Sequence, residues 1–260
     1  MTNADAYKTQ DVVAYYSHLT DLQPPEESIL NKLLPDLSRM AMLDIGVGGG
    51  RTTLHFAKWV KQYIGMDCSE EMVAACQTRF SRYPGHLSFM VADARSMPMF
   101  ADRTFDLILF SFNGIDYVSH NERLRVLEEV HRVGKSGGFF CFSTHNIQSV
   151  SKKFALKHQR SRSLKRFIGK MGRWFLVRFV YNRHLGSTEL NEARCATIND
   201  GAFRYQFRTH YIRPSAQLEQ LTKYFTDVRI YSLADGKEVH QETELHRIDD
   251  DWLYYLCVIR

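Results

Sequence analysis

The 260-residue sequence lacks a hydrophobic run long enough to cross a membrane, which excludes a membrane-spanning helix. The nearest candidate, Trp174–Val180, is interrupted by Arg178. The first residues, Met1–Asp5, have neither the basic nor the apolar stretch of a signal peptide. The five cysteines include no C-x-x-C pair, which argues against a disulfide framework or a zinc site. We therefore expect a cytoplasmic protein.

Acidic residues are absent between Ile147 and Thr188, where eleven lysines and arginines occur. The rest of the chain has 23 basic and 29 acidic residues, a net charge of −6, although the whole chain carries +5. A moderately acidic body therefore contains one strongly basic segment. Such a segment attracts anionic partners.

A glycine-rich loop follows the apolar stretch Met42–Ile45 and precedes a predicted helix at Thr52–Leu54. Glycine permits left-handed backbone and lets a ligand approach the main chain. A dinucleotide site would need a third glycine at the position of Arg51, so that fingerprint is not satisfied. Asp44 would repel a pyrophosphate but attract a ligand that carries positive charge.

The loop and the segments after it resemble the class I S-adenosylmethionine-dependent methyltransferases. Predicted strands end on acids at Tyr63–Asp67 and before Asp93, and the apolar strand Phe105–Ser111 follows. The resemblance covers residues 35–145 strongly and 205–260 less closely. It implies an α/β fold, with a Rossmann-like, mostly parallel sheet of seven strands and helices on both faces.

The resemblance also implies a binding site for S-adenosylmethionine and its product S-adenosylhomocysteine. In this family the acid at Asp67 accepts the ribose hydroxyls, and the acid at Asp93 accepts the adenine amine while the next N–H reaches a ring nitrogen. The cofactor residues that we predict are Tyr16, Asp44, Gly46, Gly48, Gly50, Asp67, Cys68, Met72, Asp93, Ala94 and Phe110.

From this resemblance we predict that the chain has three parts. Residues 1–35 form an N-terminal helical cap, with two helices separated by Pro24-Pro25. Residues 36–146 and 201–260 form the methyltransferase domain, and residues 147–200 form an inserted basic helical lid. Apolar residues from Leu164 to Phe175 recur at the spacing of one helix face.

The basic segment has several interpretations. It is a structural lid with a solvated basic face, or it attracts an anionic substrate or an acidic carrier protein, or residues 147–188 contact an anionic membrane. A further interpretation is that this segment contacts RNA. Enzymes that methylate base amines usually carry an N/D-P-P-Y-like stretch after the fourth strand, whereas this sequence has Ser111–Gly114, so we do not expect a nucleic-acid partner.

The predicted function is methyl transfer to oxygen or nitrogen of a small or carrier-linked metabolite. The alternatives are RNA or lipid methylation, and a cofactor-binding protein without turnover. An oxygen acceptor usually requires a base, and histidine can accept a proton near neutral pH. The candidate catalytic residues are His145, placed first, His210 and Asp116. No metal triad stands out, so we predict metal-independent transfer.

Overall fold

A computed structural model describes residues 9–83, 85–150, 154, 164–202, 205–240 and 242–260. Their strands are β1 (Ala41–Ile45), β2 (Gln62–Asp67), β3 (Leu87–Val91), β4 (Phe105–Phe110), β5 (Gly134–Asn146), β6 (Cys195–Ile198), β7 (Thr209–Ile212), β8 (Phe225–Ser232), β9 (Glu238–Val239) and β10 (Trp252–Ile259). Their α-helices are α1 (Gln10–Ser17), α2 (Pro24–Leu37), α3 (Thr53–Phe56), α4 (Glu70–Arg79), α5 (His120–Val133), α6 (Leu164–Phe175), α7 (Ser187–Glu192), α8 (Pro214–Leu221) and α9 (Glu242–Leu245).

The strands form one mixed sheet in the order β3-β2-β1-β4-β5-β10-β8-β9. The first five are parallel, and β10 is antiparallel to both of its neighbours. The hairpin β6–β7 joins the sheet where β7 pairs with the end of β5. The predicted α/β fold with a mostly parallel Rossmann-like sheet is confirmed. The described residues contain ten strands instead of seven, because β6, β7 and β9 are short strands that carry no clear alternating pattern.

Helices cover both faces of this sheet. On one face, Val126, Leu127 and Val130 of α5 and Leu221 of α8 pack into a buried apolar cluster. On the other face, α2 and α3 pack into a second cluster through residues that include Ile29 and Phe56. Burial on both faces explains the nearly continuous apolar sequence of β4.

The helices begin at recognisable signals. Ser69 caps α4, because its hydroxyl accepts a hydrogen bond from the Met72 N–H at 3.3 Å. Pro214 occupies the first turn of α8, as predicted. Pro24 and Pro25 also begin a helix, α2, so the prediction that they separate two helices needs a correction. Proline is tolerated in a first turn because that N–H has no helical partner.

The basic segment is described only in part. Helix α6 continues into a π-helical stretch, Leu176–Tyr181. The lysines and arginines at 152, 153, 157, 160 and 162 lie outside the described residues. None of the described helices is both long and apolar enough to cross a membrane. The boundaries of the cap, domain and lid stay predictions.

Candidate functional site

A cavity of about 590 Å³ lies at the carboxyl edge of the parallel strands. The last residues of β1, β2 and β4, which are Ile45, Asp67 and Phe110, all line it. Ligands of open α/β sheets bind at this edge. All the predicted cofactor residues except Gly50 are among the residues that line the cavity.

The glycine loop forms the floor of this cavity and contacts helix α1. Gly46 and Gly48 have φ values of 64° and 55°, a conformation that favours glycine. A Cβ atom added at Gly49 would lie 2.4 Å from Cα of Ser17, so the loop requires glycine for this close approach. Arg79 donates hydrogen bonds to the carbonyl oxygens of Gly49 and Ser17 at 2.7 and 3.2 Å. The loop and the end of α1 are therefore held together.

Gly50, also predicted to bind the cofactor, packs away from the cavity. Its φ is +80°, and an added Cβ atom would lie 2.3 Å from the Phe80 ring and 3.2 Å from the Cys76 sulfur. This glycine therefore allows the loop to pack against the end of helix α4, and it does not line the cavity.

Asp44 lies at the cavity wall with its side chain buried. Its Oδ2 atom accepts hydrogen bonds from the Tyr63 hydroxyl at 2.5 Å and from the Thr52 hydroxyl. Burial raises the pKa of the Asp44 carboxyl to about 6, although both hydrogen bonds act in the opposite direction. A positive ligand group would favour the ionised form.

Asp67 connects the ends of two strands. Its Oδ2 atom accepts a hydrogen bond from the Gly48 N–H at 2.9 Å, and its Oδ1 atom accepts one from the Ser69 N–H at 3.0 Å. Burial raises the pKa of this carboxyl, while the backbone hydrogen bonds lower it. Asp67 therefore fixes the loop and presents its carboxylate to the cavity.

Asp93 also lines the cavity, and it is paired with Arg95. The Arg95 guanidinium donates to both carboxylate oxygens, at distances of 2.6 to 3.0 Å, and also pairs with Glu122. These hydrogen bonds hold the pKa of the Asp93 carboxyl below its usual value. Arg95 and Glu122, which sequence reasoning did not select, are cavity residues too.

Residues 42–138, which contain the glycine loop and all three acids, match a family described as "Methyltransferase domain". This stretch of the chain is therefore similar to the methyltransferase domains of that family. The cofactor of this family is S-adenosylmethionine.

Curated relatives agree with this match. Ajmaline N-methyltransferase of Rauvolfia serpentina is 32% identical over 145 residues, which are 54% of this chain and 48% of that protein. The chain spans about half the length of the curated relatives it matches.

Solved structures share the fold of this chain. An S-adenosylmethionine-dependent methyltransferase from Mesorhizobium loti has a TM-score of 0.59 at 19% identity and covers 91% of this chain and 98% of its own. Phosphoethanolamine N-methyltransferase 1 of Haemonchus contortus, solved with phosphoethanolamine and S-adenosylhomocysteine, has a TM-score of 0.57 at 17% identity. The match covers 99% of this chain and 49% of the Haemonchus contortus chain.

Arg51 occupies the position at which this chain departs from the dinucleotide fingerprint, and it forms a buried ion pair. Its two terminal nitrogens donate to the Glu26 carboxylate at 2.5 and 2.7 Å. Burial would raise the pKa of Glu26, but the hydrogen bonds and charge of Arg51 hold it below its usual value. The Ser111 and Tyr254 hydroxyls also donate to Glu26. Sequence reasoning missed this cluster because its members lie far apart in the chain.

The predicted catalytic residues are not among the residues that line the cavity. Asp116 is fully buried, and it accepts hydrogen bonds from Arg123 at 2.5 Å and from Nδ1 of His145 at 2.8 Å. Burial would raise the pKa of Asp116, but the charge of Arg123 holds it below its usual value. His145 packs against Trp252, whose ring in turn contacts Phe112 of the cavity.

His210 lies on β7, and its side chain is buried. Asp116, His145 and His210 are thus buried and are not among the residues that line the cavity. The cavity contains instead Tyr117, Thr197 and Arg208, which the sequence did not indicate.

Proposed function

We propose that this chain binds S-adenosylmethionine in the cavity and transfers its methyl group to nitrogen or oxygen of a small or carrier-linked acceptor. The observation that carries the proposal is that Asp44, Asp67 and Asp93 line one cavity together with the glycine loop. A site for a doubly negative pyrophosphate would not be built from three carboxyl groups.

The hydrogen-bonding groups that line the cavity suit the ribose and adenine of the cofactor. The Asp67 carboxylate accepts backbone hydrogen bonds from Gly48 and Ser69 and further hydrogen bonds from Cys68. The ribose hydroxyls would donate to this carboxylate from the cavity. Asp93 would share its oxygens between Arg95 and the adenine amine, and the Ala94 N–H would donate to the ring. The ionised Asp44 would favour the positive charge of the methionyl end.

The main task of the protein is to position the acceptor beside the methyl group of the cofactor. The sulfonium methyl of the bound cofactor is already electrophilic, so holding a nucleophile near it supplies most of the acceleration. Among the described residues, the cavity lining includes no histidine. An amine that arrives unprotonated needs no base, so we favour nitrogen over oxygen as the accepting atom.

The test is turnover of S-adenosylmethionine labelled in its methyl group, with panels of amines and matched alcohols as acceptors. We expect labelled amine products and S-adenosylhomocysteine in equal amounts. Rates should rise with pH until the amine itself is deprotonated. Cofactor binding without transfer to any acceptor would support a non-catalytic protein, and turnover that ribonuclease abolishes would support RNA as the acceptor.

We also propose that a lipid surface presents the acceptor, a second candidate that rests on the exposed face of residues 167–181. Ile168, Phe175 and Phe179 are 61%, 54% and 48% exposed. Lys170 and Arg173 are exposed on the same segment, which contains no acid. Aromatic and aliphatic side chains beside cations are the pattern of helices that lie on anionic membranes.

Sedimentation with vesicles tests this second candidate. We expect binding to vesicles of phosphatidylcholine mixed with phosphatidylglycerol, weaker binding to phosphatidylcholine alone, and loss of binding in the double variant Ile168→Asp, Phe175→Asp. Leu124→Asp, which changes an exposed apolar residue on α5, is the control. Equal sedimentation of the double variant and the control would contradict the proposal.

A further inference from the structure

Three potential metal ligands meet beside the cavity but outside it. They are His120, the first residue of α5, Cys195, the first residue of β6, and His210 in β7. One ligand atom from each lies within 4.8 Å of the other two. The Cys195 sulfur is 3.9 Å from Nδ1 of His120, and the two imidazole centroids are 5.5 Å apart.

Strand register explains why Cys195 and His210 meet. In the antiparallel pair β6–β7, Thr197 lies opposite His210, and directly opposed residues point to the same face. Cys195 is two residues before Thr197, so it shares that face and lies diagonally across from His210. The third side chain comes from a helix that begins next to this hairpin.

The imidazole of His210 has an unsatisfied atom. Its Nε2 atom is buried and has no hydrogen-bond partner among the described residues. A buried polar atom without a partner is costly, so its presence calls for an explanation such as an ion.

We propose that His120, Cys195 and His210 bind a divalent transition-metal ion, with zinc as the ion that this ligand set suits. Two imidazoles and one thiolate are ligands that zinc prefers. Zinc–nitrogen and zinc–sulfur bonds place ligand atoms roughly 3.5 Å apart, so the three side chains would close inwards on binding. The Cys195 thiol would release its proton to solvent and bind as thiolate.

The proposed site leaves one coordination position open, and a bound ion would hold two elements together. His120 is exposed, so solvent can complete the coordination of an ion held by three protein ligands. Thr197, opposite His210, and Ser119, next to His120, both line the cavity. A bound ion would therefore fasten the hairpin β6–β7 to the start of α5 and fix this cavity wall. The inference does not depend on methyl transfer.

Cobalt(II) is the probe, because its spectrum reports thiolate ligation. Untagged, reduced, metal-free protein is titrated with Co²⁺, and Zn²⁺ is then added. We expect one Co²⁺ per chain, a thiolate-to-cobalt absorption band, and loss of that band when zinc displaces cobalt. Zinc should also raise the midpoint of thermal unfolding.

Variants decide whether these residues are the ligands. Cys195→Ser should abolish the thiolate band, and His120→Ala should weaken cobalt binding about tenfold or more, since even indirect partners of metal ligands have effects of that size. Cys68→Ser and His131→Ala are matched controls that should bind cobalt normally. Both ligand variants change residues that are not fully buried, and circular dichroism checks their folding. Absence of saturable cobalt binding, or a thiolate band that persists in Cys195→Ser, would overturn the proposal.

Discussion

The cavity has two walls that are built differently. One wall consists of the ends of β1, β2 and β4 with the glycine loop, and its acids are hydrogen-bonded to backbone or to buried side chains. The other wall includes Thr197 and Arg208 from the hairpin region, which joins the sheet through only two residue pairs between β5 and β7. The first wall is thus part of the core. The second can change its contacts with an acceptor while the core remains intact.

The largest expected effect concerns the buried ion pair behind the cavity. Arg123→Met should lower the free energy of unfolding by about 3–5 kcal/mol, because it leaves the buried Asp116 carboxylate without its cation. Denaturant unfolding measures this change. Arg125→Met, on the exposed side of the same helix, is the control and should change stability by less than about 0.5 kcal/mol. Equal stability of the two variants would show that the wall does not depend on the core in this way.

Asp67→Ala should have the next largest effect. We expect it to weaken S-adenosylmethionine binding by about 1.5–3 kcal/mol, because charge-assisted hydrogen bonds to the ribose are lost and the Gly48 N–H loses its acceptor. Calorimetry measures the affinity. Asp102→Ala removes an acid with a side chain that is 73% exposed and serves as the control. Unchanged affinity in Asp67→Ala would remove this residue from the proposed site.

A pH titration should distinguish Asp44 from its neighbours. Its pKa of about 6 means that the carboxyl becomes protonated as the pH falls, so cofactor affinity should be about tenfold lower at pH 5 than above pH 7. The stability of the free protein should change in the opposite sense. A raised pKa means that the folded state binds the proton more tightly, so the cost of burying Asp44 disappears as the pH falls through 6.

The variant Asp44→Asn isolates this titration from that of Asp67, whose pKa burial also raises. Affinity measured by calorimetry should then be weaker at pH 7 and should depend less on pH. An identical pH profile in the wild type and in Asp44→Asn would assign the titration to another group.

The smallest expected effect is the change in cofactor affinity when charges of the basic segment are reversed. Charge reversal at Lys170 and Arg173 should leave cofactor affinity within about twofold, because neither residue lines the cavity. The acceptor's KM should rise and lose part of its salt dependence, since screened attraction is what these cations supply. Steady-state kinetics at two salt concentrations provide the measurement. A large loss of cofactor affinity would mean that the basic segment contributes to the cofactor site.

The two walls also differ in how well the sequence predicts them. Asp44, Asp67 and Asp93 could be assigned because each follows an apolar strand in a chain order typical of the family, and the structure brings them to one cavity. Gly50 shares the loop's pattern, but the pattern does not show which side of the loop packs against Phe80. Both a left-handed backbone and a close packing neighbour favour glycine. A glycine in the sequence therefore does not show whether its position packs against the protein or contacts a ligand.

The second wall depends on contacts between residues that are distant in sequence. Thr197 lies in β6 and Arg208 immediately precedes β7, two short strands whose sequences lack a clear period. The position of this hairpin is set by the pairing of β7 with the end of β5. The sequence predicts His145 and Asp116 as site residues because each lies near the end of a strand. In the structure, Asp116 accepts hydrogen bonds from both His145 and Arg123, and these contacts are buried. The cluster of His120, Cys195 and His210 spans 90 residues between its first and last member, so no local motif reveals it.

Calorimetric titration of the chain with S-adenosylmethionine, S-adenosylhomocysteine and NAD is the most direct test of the account. We predict saturable binding of one molecule of either S-adenosyl compound per chain, and no binding of NAD, because three carboxyl groups line the cavity and Arg51 replaces the third glycine of the dinucleotide fingerprint. Binding of NAD, or the absence of S-adenosylhomocysteine binding to folded protein, would contradict it.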